Sequence, residues 1–216
     1  MENVTFSLST LHRHGSAFYD YLGLRKRFFV DQLGWNIPHD DDVEMDQYDN
    51  PRAHYSVVIR DGEVIGGARA MSTTATWGGH TYMLRDALAG KLVDIPADIM
   101  AVEVASNAVW ECTRLVISDN LRTHAERSTC LSLIVGGLIG VAAENGADRL
   151  MSLSPLALMR ALRQLGYAAD RVGEPYRNDD GRQYAVLSMP AARSQPYSPR
   201  ATHLAQPMAL HAPSVV

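Results

Sequence analysis

The second half of the chain carries two successive strand-then-helix units, and this order constrains the fold more than any other feature. The apolar stretch 108–117 predicts a buried central strand, and apolar residues at i, i+3 and i+4 spacing over 131–142 predict a helix packed on a sheet. A second strand over 149–154 and a second helix over 155–165, with Pro155 in its first turn, repeat the pattern. This order is typical of α/β folds, in which helices cover the faces of a sheet.

The first third of the chain predicts one helix followed by a loop. Apolar residues recur at helical spacing over about 16–33, and Gly34 stands where such a helix would end. The stretch 36–52 is acidic and carries Pro38 and Pro51 near its two ends. Because charge and proline both disfavour a regular core element, we interpret this stretch as a loop.

A hairpin follows the loop. The segments 54–60 and 63–70 are rich in Val and Ile and are separated by Asp61-Gly62, the dipeptide that best fits a two-residue hairpin turn. The next stretch has weak periodicity and predicts only a short helix near 84–90, while a last strand over 183–189 completes the sheet. The elements together predict a single α/β domain.

Composition limits the classes of function. The chain has 216 residues, 46% hydrophobic and 20% charged, which is enough for one domain with a full core over residues 1–189. A formal net charge of −4 argues against nucleic acid as a partner, since nucleic-acid binding needs a basic surface. Cys112 and Cys130 show no metal-ligand spacing, so we expect neither a disulfide framework nor a metal site.

The two ends of the sequence and its most apolar run predict where the protein works. The N-terminal residues lack the basic and apolar stretches of a secretory signal, so we expect a cytoplasmic protein. The run 130–143 is 14 residues long, whereas a membrane-spanning helix needs about 20, so we interpret it as a buried helix rather than a membrane anchor. Residues 190–216 hold five of the ten prolines and predict a disordered tail.

Charged residues in two regions could be either structural or functional. Arg25 and Phe29 share one face of the first helix, and their spacing alone favours a core Phe beside a solvated Arg. The acidic loop contains Glu44, Asp46 and Asp49, and such a run is usually a solvated surface. A calcium loop is disfavoured, because methionine stands where the turn glycine is required and proline where the bidentate glutamate is required.

The central strand also carries charge. Glu111 and Arg114 lie in a segment that otherwise reads as buried, and an unpaired buried charge is costly. Arg69, in the preceding strand, could pair with Glu111 or with an acid of the loop. A buried ion-pair network that fixes the fold and a functional site are equally compatible with these residues.

Five short stretches, taken in order, resemble the LuxI-type autoinducer synthases, which are acyl-homoserine-lactone synthases. The stretches are LRKRFFVDQLGW at 24–35, EMDQYD at 44–49, VIGGARAM at 64–71, YML at 82–84 and WECTR at 110–114. Each stretch is a weak signal alone, whereas all five in the family's order and near its spacing are specific. The resemblance is strong over about the first 115 residues and extends to the later elements only by their general pattern.

The resemblance implies both a fold and an activity. The fold would be similar to that of the GCN5-related N-acetyltransferases, a single domain with a mixed sheet and helices on its faces. The activity would transfer an acyl group from an acyl carrier protein or acyl-CoA to the amine of S-adenosylmethionine, with lactone closure and release of methylthioadenosine. S-adenosylmethionine is then a substrate, and no cofactor is implied. The alternatives are an N-acyltransferase with another amine acceptor and a catalytically silent ligand-binding member of the fold.

The resemblance also assigns site residues. Glu111 would act as the general base, directly or through one water, and Arg69 and Arg114 would complete the catalytic group. Residues expected to bind the substrate or hold the site together are Arg25, Phe29, Trp35, Asp46, Asp49 and Thr113. Acidic and aromatic side chains among them suit a sulfonium cation and an amine. The three arginines would hold the substrate carboxylate or fix the acids.

A few positions depart from the family pattern or bear on the acyl chain. Thr113 stands where a serine is common and keeps its hydroxyl, and Leu88 stands where the family usually has phenylalanine. Leu88, Ser152 and Leu156 are the expected acyl-pocket residues. Ser152 falls where members that prefer chains oxidised at the third carbon tend to carry threonine, although a strand serine can equally be satisfied by a neighbouring carbonyl. The glycine-rich turn that N-acetyltransferases use for coenzyme A is missing from 118–128.

Overall fold

A computed structural model of the chain describes residues 1–193. Seven strands form one sheet in the order β1-β2-β3-β4-β5-β7-β6. The strands are β1 Glu2–Ser7, β2 His54–Arg60, β3 Glu63–Ser72, β4 Val109–Ile117, β5 Arg149–Pro155, β6 Asp170–Arg177 and β7 Gln183–Pro190. The helices are α1 Ala17–Arg25, α2 Met83–Leu88, α3 His124–Glu144 and α4 Leu156–Gln164, with a 3-10 turn at Leu11–His14 and a π-helical segment at Lys26–Gln32. The predicted α/β fold with a mixed sheet is confirmed.

The hairpin between β2 and β3 forms where the sequence predicts it. Asp61 and Gly62 both have positive φ angles, 54° and 83°, as a type I′ turn requires at its two central residues. The two strands pair antiparallel from His54 opposite Ala70 to Arg60 opposite Glu63. The remaining neighbours also pair antiparallel except β4 and β5, which are parallel.

β4 carries a bulge on one side and loses its partner strand partway along the other. Thr113 pairs with Arg69 of β3 and Val116 with Gly67, so two residues of β4 oppose one residue of β3, and Arg114 takes a φ of 55°. On its other side, β4 pairs with β5 only from Val109 to Glu111. Beyond Glu111 the two parallel strands are no longer bonded to each other, which leaves a gap in the middle of the sheet.

Helices cover both faces of the sheet, and each face has its own core. α3 buries one side, which includes Cys130, Ile134 and Leu138, against residues such as Ile65 and Leu150. This is the apolar run that we predict as a buried helix; by length and composition alone α3 could also span a membrane. α1 and the π-helical segment cover the opposite face, where Tyr21 and Phe29 join a second core.

All the predicted elements are present, but α3 begins at His124 rather than near 131, and three further differences remain. β1 was not predicted because it is an edge strand of mixed polarity, and β6 was not predicted because most of its residues are exposed and it contains glycine and proline. Pro155 ends β5 and precedes α4, so the prediction that it lies in the first turn of the helix is wrong by one residue. The predicted tail lies outside the described residues from position 194 onward.

Gly67 sets how closely α1 approaches the sheet. A Cβ atom there would lie 2.9 Å from two ring carbons of Tyr21 and 3.1 Å from the Ser56 carbonyl oxygen. The ring has little freedom to move, because the Tyr21 hydroxyl donates a 2.7 Å hydrogen bond to the Arg114 carbonyl. We therefore expect Gly67→Ala to lower the free energy of unfolding by about 1–3 kcal/mol.

Urea denaturation checks the Gly67→Ala prediction. Gly136→Ala is the matched control, because a Cβ atom on that exposed α3 glycine would meet no atom within 4 Å. Alanine is the better helix former, so the control should be neutral or stabilising. Equal stability of Gly67→Ala and the wild type would show that α1 can shift without cost.

Candidate active site

Six charged side chains meet at the end of α1, and we call them the charge cluster: Arg25, Glu44, Asp46, Asp49, Arg69 and Arg114. Arg25 donates two 2.8 Å hydrogen bonds to the two oxygens of Asp49 and one of 2.6 Å to Glu44. Arg69 contacts Asp46 at 2.5 Å and Asp49 at 2.9 Å. Arg114 joins Glu44 at 3.2 Å and Asp46 at 2.7 Å. Three cations thus neutralise three carboxylates.

Burial of the charge cluster corrects two interpretations of the sequence. The Arg25 side chain is fully buried, so its interpretation as a solvated residue is wrong. Among the acidic residues of the loop, only those at 40–42 are exposed, whereas Glu44, Asp46 and Asp49 are buried. A carboxylate without a partner would be expelled from such a site, and the arginines supply the partners that the sequence pattern could not show.

The arginines also fix the ionisation of the loop acids. Burial alone would raise the pKa of Asp46, but Arg69 and Arg114 outweigh burial and hold that pKa below its ordinary value. Burial likewise opposes ionisation of Asp49, and Arg69 with Arg25 again lowers the pKa. Both carboxylates are therefore charged at neutral pH and hold the loop against α1 and β3.

Glu111 lies outside these ion pairs. It is buried on β4 next to the gap, and its two oxygens accept hydrogen bonds of 2.8 Å from the backbone N–H groups of Met83 and Leu84 at the start of α2. Of the two partners that the sequence left open for Arg69, the structure shows the acids of the loop and not Glu111. Burial raises the pKa of Glu111 to about 7, although the two N–H groups act in the opposite direction.

Aromatic rings form one wall beside the charge cluster. The Phe29 and Trp35 rings stack with centroids 5.0 Å apart, and the Arg114 guanidinium lies 5.5 Å from the Phe29 centroid. Within residues 1–193, the buried indole nitrogen of Trp35 has no hydrogen-bond partner. A buried N–H donor without an acceptor is unusual in proteins, and it would suit a polar ligand.

Most of the sequence-predicted site residues are brought together, and the acyl-pocket residues less so. Thr113 accepts a 3.0 Å hydrogen bond from Nε of Arg69 and so joins the charge cluster. Leu88 packs against the core on the Glu111 side. Ser152 alternates to the opposite face of β5 from Met151 and accepts a 2.9 Å hydrogen bond from the Ser154 hydroxyl rather than donating to a carbonyl. Leu156 is half-buried at the start of α4.

Sequence reasoning did not single out two residues that connect the parts of the site. Tyr48 lies in the acidic loop, and the Arg69 guanidinium lies over its ring, 5.6 Å from the centroid. Asp86 lies on α2 and is 1% exposed. The only available signal was their position inside or next to matching stretches, because a tyrosine in a polar loop and an acid on a short helix are otherwise ordinary.

Comparisons with known proteins identify the family of the chain. The sequence model of the autoinducer synthase family matches residues 9–198. The chain belongs to the autoinducer synthase family. It is 33% identical to an acyl-homoserine-lactone synthase of Acinetobacter nosocomialis over 180 residues, which cover 80% of this chain and 90% of that protein. The protein is therefore an enzyme, an acyltransferase of the acyl-homoserine-lactone synthase type.

Solved structures of similar proteins show the same fold. The crystal structure of TofI with an inhibitor and methylthioadenosine (MTA) matches with a TM-score of 0.69 and 26% identity, over 88% of this chain and 92% of TofI. BjaI, described as a coenzyme-A-dependent acyl-homoserine lactone synthase with S-adenosylmethionine and isopentyl-CoA, has a TM-score of 0.69 at 16% identity, over 88% of this chain and 82% of BjaI. An acyl-CoA N-acyltransferase from Pseudomonas aeruginosa also matches, with a TM-score of 0.53 at 15% identity over 87% of this chain and 99% of that one, so the expected N-acetyltransferase-like fold is confirmed.

Proposed function

We propose that Glu111 is the general base with which this synthase acylates S-adenosylmethionine. The observation that carries the proposal is a buried carboxylate with a pKa of about 7, which lies where β4 and β5 separate. Within residues 1–193 its hydrogen bonds come only from backbone N–H groups. The substrate amine is protonated at neutral pH and attacks only after it loses that proton. A base with a pKa near the working pH is the most effective acceptor of such a proton.

The reaction then balances in two steps. Glu111 takes one proton from the ammonium group, directly or through one water, and the free amine then attacks the thioester carbonyl. The C–S bond breaks, and the thiolate of the carrier takes the second proton from the attacking nitrogen and leaves as a thiol, so that a neutral amide remains. The carboxylate of the new acyl-methionine unit next attacks the carbon beside the sulfonium, and the C–S bond electrons leave with methylthioadenosine. Beyond Glu111, and within the described residues, β4 is not paired with β5, so backbone N–H groups of β4 that face this gap are suited to stabilise the oxyanion of the first step.

Arg114 is the arginine best placed to hold the substrate carboxylate. Its side chain is 10% exposed, whereas those of Arg25 and Arg69 are 0% exposed. Nε and Nη2 of Arg114 contact the loop acids, and within the described part of the chain Nη1 makes none of these bonds. The residue also lies beside Phe29 and Trp35, whose faces suit the sulfonium.

Arg114→Lys tests this placement, because lysine keeps the charge but loses the planar fork. We expect the KM for S-adenosylmethionine to rise about tenfold, the loss of one charge-assisted hydrogen bond. The matched control is Arg163→Lys, since Arg163 forms an exposed ion pair with Asp170 and is not part of the charge cluster. An unchanged KM in a folded Arg114→Lys enzyme would transfer the role to another residue.

The acyl donor is best explained as an acyl carrier protein. In this fold a coenzyme A pyrophosphate would approach the N-terminus of α3, where free N–H groups favour anions. Here Thr123 and Glu126 bond to each other's backbone N–H groups, which occupies two of these donors and adds a negative charge.

The acyl tail would enter the gap between β4 and β5, and it would have to pass through the sheet to reach Ser152.

Mass spectrometry of the products tests the function. The purified enzyme is mixed with S-adenosylmethionine and the same acyl group on either acyl carrier protein or coenzyme A. We expect stoichiometric methylthioadenosine and acyl-homoserine lactone, with a higher kcat/KM for the carrier protein. An N-acyltransferase with another acceptor would release no methylthioadenosine and would form an amide only when a different amine is supplied. No product with either donor and any of these amines would indicate a silent member of the fold.

A further inference from the structure

The buried carboxylate of Asp86 is surrounded by five hydrogen-bond donors. Its two oxygens accept hydrogen bonds from the Thr81 hydroxyl at 2.7 Å, the Lys91 ammonium at 3.0 Å and the Tyr48 hydroxyl at 3.1 Å. The Thr81 backbone N–H, at 3.2 Å, and the His80 ring, at 3.1 Å, complete the set. These donors come from both sides of α2 and from the acidic loop, so one buried carboxylate ties three segments together.

One set of these contacts controls the start of α2. Thr81 and Tyr82 directly precede Met83 and Leu84, whose N–H groups hold the two oxygens of Glu111. Tyr82, at the position before the helix, makes no side-chain capping bond. The Asp86 side chain fixes Thr81, and its own backbone carbonyl accepts from Lys91 at 2.9 Å. Asp86 therefore fixes the helix end that presents the two donors to Glu111.

The other contact reaches the charge cluster. Tyr48 lies between Asp46 and Asp49 in sequence. Its hydroxyl donates a hydrogen bond to Asp86, and its ring lies under the Arg69 guanidinium. The two neighbouring acids of the loop contact Arg69 and Arg114. The same carboxylate thus positions the base on one side and the substrate-binding loop on the other.

We propose that Asp86 is a positioning residue that couples the orientation of Glu111 to that of the acidic loop. This inference rests on the proposed function, because it assumes that Glu111 is the base. Asp86 acts through Thr81 and α2 on catalysis, and through Tyr48 on S-adenosylmethionine binding. No contact between Asp86 and the reacting atoms is required.

The pH profile separates positioning from a direct effect of charge. The titratable or charged groups that face Glu111 are Asp46, Tyr48, Arg69, Tyr82 and Cys112. Removing a nearby negative charge would by itself lower the pKa of Glu111. Loosening α2 would weaken the hydrogen bonds from the Met83 and Leu84 N–H groups. Because these bonds favour the ionised form of Glu111, their loss would raise the pKa of Glu111. The two mechanisms therefore move the acid limb of kcat/KM in opposite directions.

The experiment compares three variants with the wild type. Asp86→Asn should move the acid limb of kcat/KM to higher pH, lower kcat at pH 7 about tenfold and raise the KM for S-adenosylmethionine. All three effects are expected because both the start of α2 and the acidic loop lose their contact with the carboxylate. Thr81→Val, which changes no charge, should move the acid limb and lower kcat with little change in that KM. Tyr48→Phe should raise the KM and leave the acid limb in place. Asp170→Asn, the same change at an exposed ion pair, is the control.

The outcomes separate this inference from the proposed function. A limb that stays or moves to lower pH in both Asp86→Asn and Thr81→Val would overturn the positioning role, even if the melting temperature falls. If Asp86→Asn does not fold, Thr81→Val and Tyr48→Phe decide alone. A lower kcat together with a higher KM in both of these variants would contradict separate effects through α2 and through Tyr48. Failure of the proposed function would instead appear in the wild type, as absence of methylthioadenosine.

Discussion

Glu111→Gln is expected to fold like the wild type and to lose about 10²–10⁴-fold in kcat, the usual contribution of a positioned general base. The amide has the size of the carboxylate and can still accept from one of the two α2 N–H groups, but it cannot take a proton from the substrate amine. The wild-type kcat/KM should rise with pH through about 7, the pKa that burial gives this group. That rise should be missing from the residual activity of the variant.

Steady-state kinetics from pH 5.5 to 8.5, a range chosen to span that pKa by about 1.5 units on each side, checks both statements. Glu103→Gln is the matched control, since Glu103 is exposed and pairs only with Arg85 in the described residues. Melting curves of both variants exclude unfolding as the cause. Near wild-type turnover in Glu111→Gln would remove Glu111 as the base and would leave Asp46 or a bound water as the acceptor.

The sequence contains most of the fold because its signals are local. Asp61-Gly62 predicts the hairpin turn, Gly34 predicts the end of the first helical span, and the spacing over 131–142 predicts α3. These features depend on a residue's own backbone preferences and on a periodicity that one window contains. The two missed strands lie at the edges of the sheet, where one exposed side leaves little hydrophobic pattern.

The candidate site is less local, and its partners could not be deduced from spacing. Arg25 looks solvated because it is a charged residue on an amphipathic helix, and only the fold brings Glu44 and Asp49 to it. The sequence left open whether Glu111 and Arg114 belonged to an ion-pair network or to a catalytic group. The structure separates the two residues: Arg114 is in the charge cluster, and Glu111 is bonded to backbone N–H groups instead.

The charge cluster also has a defined role in stability. Its three arginines are matched by three carboxylates, so its net charge is zero and its stability depends on each partner staying in place. Asp49 is the most connected of the acids, because it accepts from Arg25, from Tyr55 at 3.1 Å and from the Asp46 backbone N–H at 2.9 Å, and also contacts Arg69. Replacing it leaves two fully buried cations short of a partner.

Asp49→Ala should therefore lower the free energy of unfolding at pH 7 by about 3–5 kcal/mol, the cost of breaking a buried pair. Its matched control is Asp41→Ala, the same change at an exposed position of the same loop, which should cost less than about 0.5 kcal/mol. Urea denaturation measures both, and the slope with urea should not change.

The difference between Asp49→Ala and the wild type should shrink in acid. The arginines hold the folded pKa of Asp49 below its ordinary value of 3.8, so the native state keeps this carboxylate charged after the unfolded chain has bound its proton. The stabilisation is complete above the ordinary pKa and is lost as pH falls toward the folded one, at about 1.4 kcal/mol per pH unit. At pH 3 the difference should be about 1 kcal/mol smaller than at pH 7. A difference that is the same at both pH values would mean that Asp49 contributes through packing rather than through its charge.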